Sequence, residues 1–228
     1  MIAAGLCLLL WALVVWRWQD PFTALYTAYQ QHRLEARYEI ELASYRPPPV
    51  VKPTTAGTRP TVAAERRRVA REASRYRSSL EIGDPVGRLK VPRLGLDLIV
   101  VNGTDHDSLA RGPGRYPGSF VPGEGRLIYI AGHRTTYGAP FAHIERLRPG
   151  DVVTLEVPYG RFVYRVASSV VVPASEVSRL ESRGLEEVAL QACHPRFFAS
   201  HRYIAYARPV RVFPRSGAPY SPPARAQT

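Results

Sequence analysis

The sequence predicts a mostly β domain, either a closed barrel or a sandwich, preceded by helical and proline-rich segments. From Glu81 onward, seven short apolar or alternating runs are separated by Gly and Pro, and an eighth, shorter strand fits near 114–116. Regularly spaced short strands with turn signals between them are typical of barrels and sandwiches. The chain has 228 residues, which is enough for one such domain with appendages.

The first 18 residues predict a membrane anchor. Met1–Trp16 contains no charged residue and approaches the length that a helix needs to cross a bilayer. Trp16 and Trp18 suit the membrane interface. A cleaved signal peptide is the alternative, but the bulky W-R-W-Q-D-P that follows is a poor cleavage site. We therefore expect an uncleaved, single-pass anchor.

Residues 19–45 predict a membrane-proximal helical stalk. Asp20 can cap a helix and Pro21 suits its first position. A loose apolar stripe then follows at Leu25, Tyr29, Leu34, Tyr38 and Leu42.

Residues 46–80 predict a linker that is rich first in proline and then in arginine. The first part should act as a semi-rigid spacer. The second fits a helix that lies on the domain or on an anionic polymer, and a solvated basic helix is the simpler interpretation. The barrel is expected over 81–213. The composition of residues 214–228 predicts a disordered tail.

The charge and the cysteines limit the classes of function. A formal net charge of +12 indicates either an anionic partner or solvated arginine faces. The basic run lacks the interleaved aromatics of single-strand binding proteins, so no nucleic acid is expected. The two cysteines are Cys7 and Cys193. A disulfide between them would join the anchor to the domain, so we expect Cys193 to be a free thiol.

A cysteine, a histidine and an arginine fall at the ends of predicted strands. Cys193 follows the apolar run Val188–Leu190, Arg202 comes nine residues later, and His133 follows the strand in R-L-I-Y-I-A-G-H. Groups at strand ends can meet over one mouth of a barrel. A thiol and an imidazole form a nucleophile–base pair, and a guanidinium can stabilise an oxyanion or orient a substrate.

Structural interpretations of these residues, without a catalytic role, stay open at this point. A cysteine after an apolar run is more often a buried small hydrophobe than a nucleophile. His194 adjoins the thiol, but neighbours on a strand point to opposite faces, so His133 is the better candidate for the base. One cysteine lacks the paired spacing of a structural zinc site, and the sequence predicts no metal or cofactor.

Two separated motifs resemble those of the sortases. A-G-H-R-T-T-Y-G-A-P-F precedes L-Q-A-C-H-P, with an arginine nine residues after the cysteine. The resemblance covers roughly Gly83 to Phe213 and is strongest to the class E sortases of high-GC Gram-positive bacteria. It implies a closed eight-stranded β-barrel in which His133, Cys193 and Arg202 form the catalytic triad.

The resemblance also implies a cysteine transpeptidase, anchored in the cell membrane with its catalytic domain outside the cell. The thiolate of Cys193 would attack the Thr–Gly carbonyl of a Leu-Pro-x-Thr-Gly signal, or Leu-Ala-x-Thr-Gly in class E. An amine of the cell-wall precursor would then resolve the thioester. In the family the histidine acts chiefly as a general acid, from a minority thiolate–imidazolium state. The implied partners are surface proteins with sorting signals, the peptidoglycan precursor and the membrane, for a monomer without cofactors.

The sequence departs from the family pattern Thr-Leu-x-Thr-Cys, because Ala189 and Ala192 replace both threonines. A hydroxyl that could support the acyl-enzyme carbonyl is therefore missing at Ala192. The candidates for substrate contact are Tyr137, Ala192 and His194, together with the loop at 195–201.

Three other functions fit parts of the pattern. An L,D-transpeptidase resembles Ser-x-Gly-Cys-x-Arg, but this chain has Pro195 two residues after the cysteine. A non-catalytic wall-binding barrel would not need all three triad residues. A cysteine peptidase that hydrolyses the same signal differs only in its second nucleophile, so the sequence leaves it open.

Overall fold

The computed structural model describes residues 21–47 and 61–223, together with residues 2, 3, 5–7 and 10. Its helices from Pro21 onward are α1 (Pro21–Ser44), α2 (Val62–Ser79) and α3 (His106–Arg111), with 3₁₀ turns at Pro92–Leu94, Ile144–Arg146 and Val177–Leu180. Its strands are β1 (Pro85–Val91), β2 (Leu96–Asn102), β3 (Gly114–Arg115), β4 (Leu127–Ala131), β5 (Val152–Val157), β6 (Gly160–Pro173), β7 (Glu187–His194) and β8 (His201–Pro214).

Within the described residues, the eight strands close into one barrel in the order β1-β2-β3-β4-β7-β8-β6-β5. The predicted eight-stranded, mostly β fold is confirmed, and the short eighth strand is β3. A tight turn at Pro158 and Tyr159 joins β5 to β6, with Val157 opposite Gly160. β4 and β7 run parallel, so their C-terminal ends reach the same rim of the barrel.

The alternation of side chains along the strands separates an inner core from an outer apolar layer. The inner core takes one set of positions on the central strands, which includes Ile128, Ile130, Val188, Leu190, Ala192, Ala205 and Ala207. The outer layer takes the intervening set, Leu127, Tyr129, Ala189, Ile204 and Tyr206, with Val172 of β6. Both faces of β4 and β7 are therefore covered, which explains why these strands read as continuous apolar runs.

α1 packs along the barrel, in contrast to the stalk that the sequence predicted. Leu34 and Tyr38, one helical turn apart, are each 2% exposed and pack against β2. Because β3 has only two residues, part of the β2 edge lacks a partner strand. The side chain of Gln31 takes that place, since it accepts from the Ile99 amide at 2.8 Å and donates to the Ile99 carbonyl at 3.0 Å. Nearer the N-terminus of α1, Leu25 is exposed.

α2 lies on the barrel, which is one of the arrangements that the sequence left open, and is therefore not simply solvated. Val69 and Ala73 are fully buried in the main core. The Tyr76 hydroxyl donates to the carbonyl of Val86 on β1 at 3.0 Å. Val69, Ala73 and Tyr76 are spaced four and three residues apart, and arginines surround them in the sequence. One of these arginines, Arg68, forms ion pairs with two glutamates of the same helix. The predicted linker boundaries stay predictions, and residues 48–60 lie outside the described residues.

Part of the C-terminal segment packs on the barrel, and most of the predicted anchor lies outside the described residues. Tyr220 is 6% exposed and forms a β-bridge with Val212, so this part of the predicted disordered tail packs on the barrel. Residues 224–228 lie outside the described residues. So do 11–18 of the predicted anchor, and none of the helices described here has the length and apolar character to span a bilayer.

Candidate active site

The structure brings the three predicted catalytic residues into one row at the rim of the barrel. Cys193 on β7 and Arg202 on β8 are direct cross-strand partners, and such partners share one face of a sheet. Ala131, the last residue of β4, is paired with Gln191 of β7 in parallel register. His133 follows Ala131 by two residues, as Cys193 follows Gln191. The imidazole, the thiol and the guanidinium therefore leave three adjacent chain segments at one level.

Behind this row, the same outer face is lined mainly by apolar side chains. The cross-strand sets are Ala131 with Gln191 and Ile204, and Tyr129 with Ala189 and Tyr206. Leu180, from the 3₁₀ turn between β6 and β7, packs on this layer. The triad thus lies at the end of an apolar strip that runs along three strands.

A glycine and a phenylalanine fix the start of the His133 loop. A Cβ on Gly132 would lie 2.6 Å from the ring of Phe141, so this close approach requires glycine. The Gly132 amide donates to the carbonyl of Gln191 at 3.0 Å, and the Phe141 amide donates to the carbonyl of His133 at 3.1 Å. The loop therefore leaves β4 in register with β7 and folds back onto its own start.

Burial and the nearby His106 lower the pKa of His133 below its ordinary value. Removal from water disfavours the imidazolium form, and a second imidazole adds to the effect. Nε2 of His133 is buried and has no hydrogen-bond partner among the described residues. An unsatisfied buried polar atom costs about 1–3 kcal/mol, and such atoms in native proteins are often functional.

Tyr137 packs beside the imidazole of His133, with 5.1 Å between the two ring centroids. Its hydroxyl lies 3.3 Å from Nε2 of His106. Its backbone is in the left-handed region, with φ of 52°, which few residues other than glycine adopt. The Tyr137 amide donates to Oγ1 of Thr23 in α1 at 2.9 Å. α1 thus holds the loop that covers His133, while substrate contact by Tyr137 stays a prediction.

The thiol and the guanidinium are both half-buried at the rim, and Cys193 is a free cysteine. Nη1 of Arg202 donates to the carbonyls of Ala199 at 2.7 Å and His201 at 3.0 Å. These bonds anchor the guanidinium to the loop between β7 and β8. The sequence named this loop as a candidate for substrate contact, and that role stays a prediction.

The structure contradicts one of the predicted substrate contacts. Ala192 is fully buried and belongs to the inner core, because residues adjacent on a strand face opposite sides and Cys193 faces outward. A side chain at position 192 therefore points into the core and away from a substrate. His194 is the last residue of β7. Its contact with substrate stays a prediction.

Two charged residues near the site were not singled out from the sequence. Arg134 donates through Nη1 to the carbonyl of Cys193 at 3.1 Å and through Nη2 to Glu145 at 2.7 Å. An arginine beside a histidine carries no local sign of such contacts, because its partners lie far away in the chain. The described residues include no group of three or more His, Cys, Asp or Glu side chains that could hold a metal ion. A thiol, an imidazole and a guanidinium suffice for acyl transfer.

The sequence of this chain is similar to known proteins. The family described as sortase domain matches residues 89–210. Sortase D of Bacillus subtilis is 34% identical over 134 residues, which are 57% of this chain and 66% of that protein. SrtE1 of Streptomyces coelicolor is 35% identical over 97 residues, which are 38% of this chain and 27% of that protein. The chain thus spans less than two thirds of either relative.

Solved structures show the same fold. Sortase E1 from Streptomyces coelicolor, with a tripeptide in its active site, superposes with a TM-score of 0.55 and 28% identity over 58% of this chain and 92% of that chain. A Clostridium perfringens Sortase D5 transpeptidase has a TM-score of 0.62 over 80% of this chain and 99% of its own, and its identity of 18% shows likeness of fold alone. Because the family match covers more than half of the sequence, the chain belongs to the sortase family of cysteine transpeptidases.

Proposed function

We propose that this protein cleaves a Leu-Pro-x-Thr-Gly-like or Leu-Ala-x-Thr-Gly-like sorting signal between Thr and Gly. The acyl part then passes to an amine of the cell-wall precursor. The observation that carries the proposal is the row of three side chains, in which Cys193 and Arg202 are paired across strands and His133 leaves the parallel neighbour at the same level.

In the acylation step, the Cys193 thiolate attacks the carbonyl carbon of the threonine and forms a C–S bond. The guanidinium of Arg202 stabilises the oxyanion of the tetrahedral intermediate. The C–N bond then breaks, and His133 gives its proton to the departing glycine amine. The products are a thioester on Cys193 and a neutral imidazole.

The lowered pKa of His133 fits a minority thiolate–imidazolium pair. At neutral pH burial keeps most of the imidazole neutral, so the reactive fraction is the one in which the thiol proton has moved to His133. In the second step the acceptor amine attacks the thioester and gives a proton to His133. Cys193 leaves as a thiolate, which restores the reactive pair.

We place the sorting signal on the outer face of β7 beside Cys193. On that face Gln191 is half-buried, between Ala131 and Ile204, which are themselves buried. The solved structure of Sortase E1 carries a tripeptide in its active site, and its likeness to this chain favours a class E assignment. The similar identity of Sortase D makes the second position of the signal, Pro or Ala, the feature that would distinguish the classes.

The proposed location is the outer side of the cell membrane, with a single N-terminal anchor. The sequence support is the uncharged run of Met1–Trp16. The structural support is α1, which begins at Pro21 and binds the barrel and the His133 loop. The active site would then lie close to the membrane and its lipid-linked precursors.

Replacement of the triad residues tests the proposal with a fluorogenic sorting peptide and a small amine such as triglycine. Cys193→Ala should abolish cleavage, and Arg202→Ala should nearly do so. Cys7→Ala is the matched control and should retain the wild-type rate. Cleavage by Cys193→Ala at the wild-type rate would contradict the proposal. A free acid as the sole product, with amine in excess, would indicate the hydrolase instead.

A further inference from the structure

Arg134 is buried beside the nucleophile, although it is one residue from the catalytic histidine in sequence. Its side chain is 6% exposed, and arginine is rarely buried to this extent unless it is paired. The pairing comes from Glu145 in the 3₁₀ turn Ile144–Arg146, whose carboxylate lies 2.7 Å from Nη2. The Glu145 side chain is 43% exposed, so the ion pair spans from the solvent to the interior.

The other end of the guanidinium binds the C-terminal end of β7. Nη1 of Arg134 lies 3.1 Å from the carbonyl oxygen of Cys193 and 2.9 Å from Nδ1 of His194. The planar guanidinium holds its donors in a fixed fork. One side chain therefore joins the His133 loop, the nucleophile strand and the turn at Glu145.

The contact with His194 also determines which nitrogen of that ring carries the proton. Arginine has donors and no acceptor, so Nδ1 of His194 must accept and the ring proton lies on Nε2. In this arrangement neither nitrogen of His194 is available to take the proton of the Cys193 thiol. The imidazole nearest to the cysteine in sequence is thus kept out of the proton transfer, which is left to His133.

We infer that Arg134 is a positioning residue that sets the backbone of Cys193 against the His133 loop and holds His194 in its Nε2-protonated form, with Glu145 as its anchor. The inference rests on the proposed function for its effect on turnover. The contacts concern the Cys193 carbonyl and one nitrogen of the His194 ring, so the predicted substrate contact through the rest of that ring can persist when they are lost. Misplacement of reacting groups by about 1 Å can lower a rate about 100-fold.

Steady-state kinetics of Arg134→Met, with the sorting peptide and triglycine, test the inference. We expect kcat to fall on the order of 100-fold while KM stays within about threefold. Arg134→Lys should recover part of kcat, because it restores one donor. Arg146→Met, an exposed arginine on the same 3₁₀ turn, is the matched control and should behave as wild type. All variants are compared well below their thermal midpoints.

A kcat of Arg134→Met within about twofold of wild type would overturn the inference. If that variant does not fold, Glu145→Gln takes its place, since it removes the anchoring charge at the partly exposed end and should lower kcat with little change in KM. An unchanged kcat in a folded Glu145→Gln protein would then overturn the inference.

Alkylation of Cys193 by iodoacetamide gives a readout that does not need a sorting peptide. We expect the rate to change by severalfold in Arg134→Met, and to match wild type in Arg146→Met. Failure of the wild-type protein to form any acyl product would contradict the proposed function alone. An alkylation rate unchanged by Arg134→Met would overturn the positioning role alone.

Discussion

Replacement of Thr23 by valine should loosen the loop that covers the catalytic histidine. Thr23 lies in α1, and its hydroxyl accepts a hydrogen bond of 2.9 Å from the Tyr137 amide. Valine keeps the shape of threonine and removes the acceptor. Tyr137 holds a φ of 52°, and a left-handed residue other than glycine costs about 1–2 kcal/mol. Such a conformation persists only where its surroundings enforce it.

The size of the effect follows from the loss of that one bond. A backbone amide left without an acceptor costs about 1–3 kcal/mol, which is comparable with the cost of the left-handed backbone. A loss of about 1–2 kcal/mol raises the open fraction of the loop about 5- to 30-fold. Hydrogen exchange of the Tyr137 amide, followed by NMR, should accelerate by that factor. The kcat/KM for peptide cleavage should fall as the open fraction of the loop rises.

Thr27→Val is the matched control for this experiment. Thr27 lies one turn further along α1 and donates to the carbonyl of Ala110 at 2.7 Å, so its loss weakens the docking of the helix without removing the bond to Tyr137. We expect the Tyr137 amide to remain protected in this variant. Equal acceleration in both variants, or none in Thr23→Val, would refute the view that Thr23 clamps the loop directly.

Three further predictions concern the pKa of the catalytic histidine and the packing of the fold. His133 should titrate below about 6.5 by NMR, and His106→Gln should raise its pKa without restoring the ordinary value, because burial is the larger cause. Since the unfolded chain then binds more protons, the stability contributed by this group is complete above the ordinary pKa and falls as the pH drops below it. Leu34→Ala should cost about 2–5 kcal/mol in urea unfolding, whereas Leu25→Ala, at a site 73% exposed, should cost less than about 0.5 kcal/mol. Ala192→Thr should destabilise the barrel by about 1–3 kcal/mol and should not increase peptide cleavage.

The barrel and the placement of the three candidate catalytic residues at strand ends could be predicted because their signals are local. Each strand is a short apolar run between turn residues, and His133, Cys193 and Arg202 lie at strand ends. The parallel pairing of β4 with β7, which aligns His133 with Cys193, depends on the closure of the barrel. The sequence predicted only that the two strand ends meet over one mouth of a barrel, and it specified neither their pairing nor their register.

The parts that the sequence did not predict depend on contacts between distant segments. The bond from Tyr137 to Thr23 spans 114 positions, and that from Arg134 to Cys193 spans 59. Neither has a local pattern to indicate it. A solvated α2 was the simpler expectation because six arginines are interspersed with its apolar residues, although Val69 and Ala73 lie on one face. The misassignment of Ala192 has a simpler cause, since strand alternation places it opposite Cys193.

The most direct test of Cys193 as the acylated nucleophile is intact-mass spectrometry of the protein mixed with a sorting peptide, before and after addition of triglycine. We expect a covalent adduct with the mass of the peptide up to its threonine, located on Cys193 and absent from Cys193→Ala. Triglycine should discharge this adduct and yield an amide-linked product. The absence of an adduct under conditions of steady peptide cleavage, or its location on another residue, would contradict the assignment of Cys193 as the acylated nucleophile.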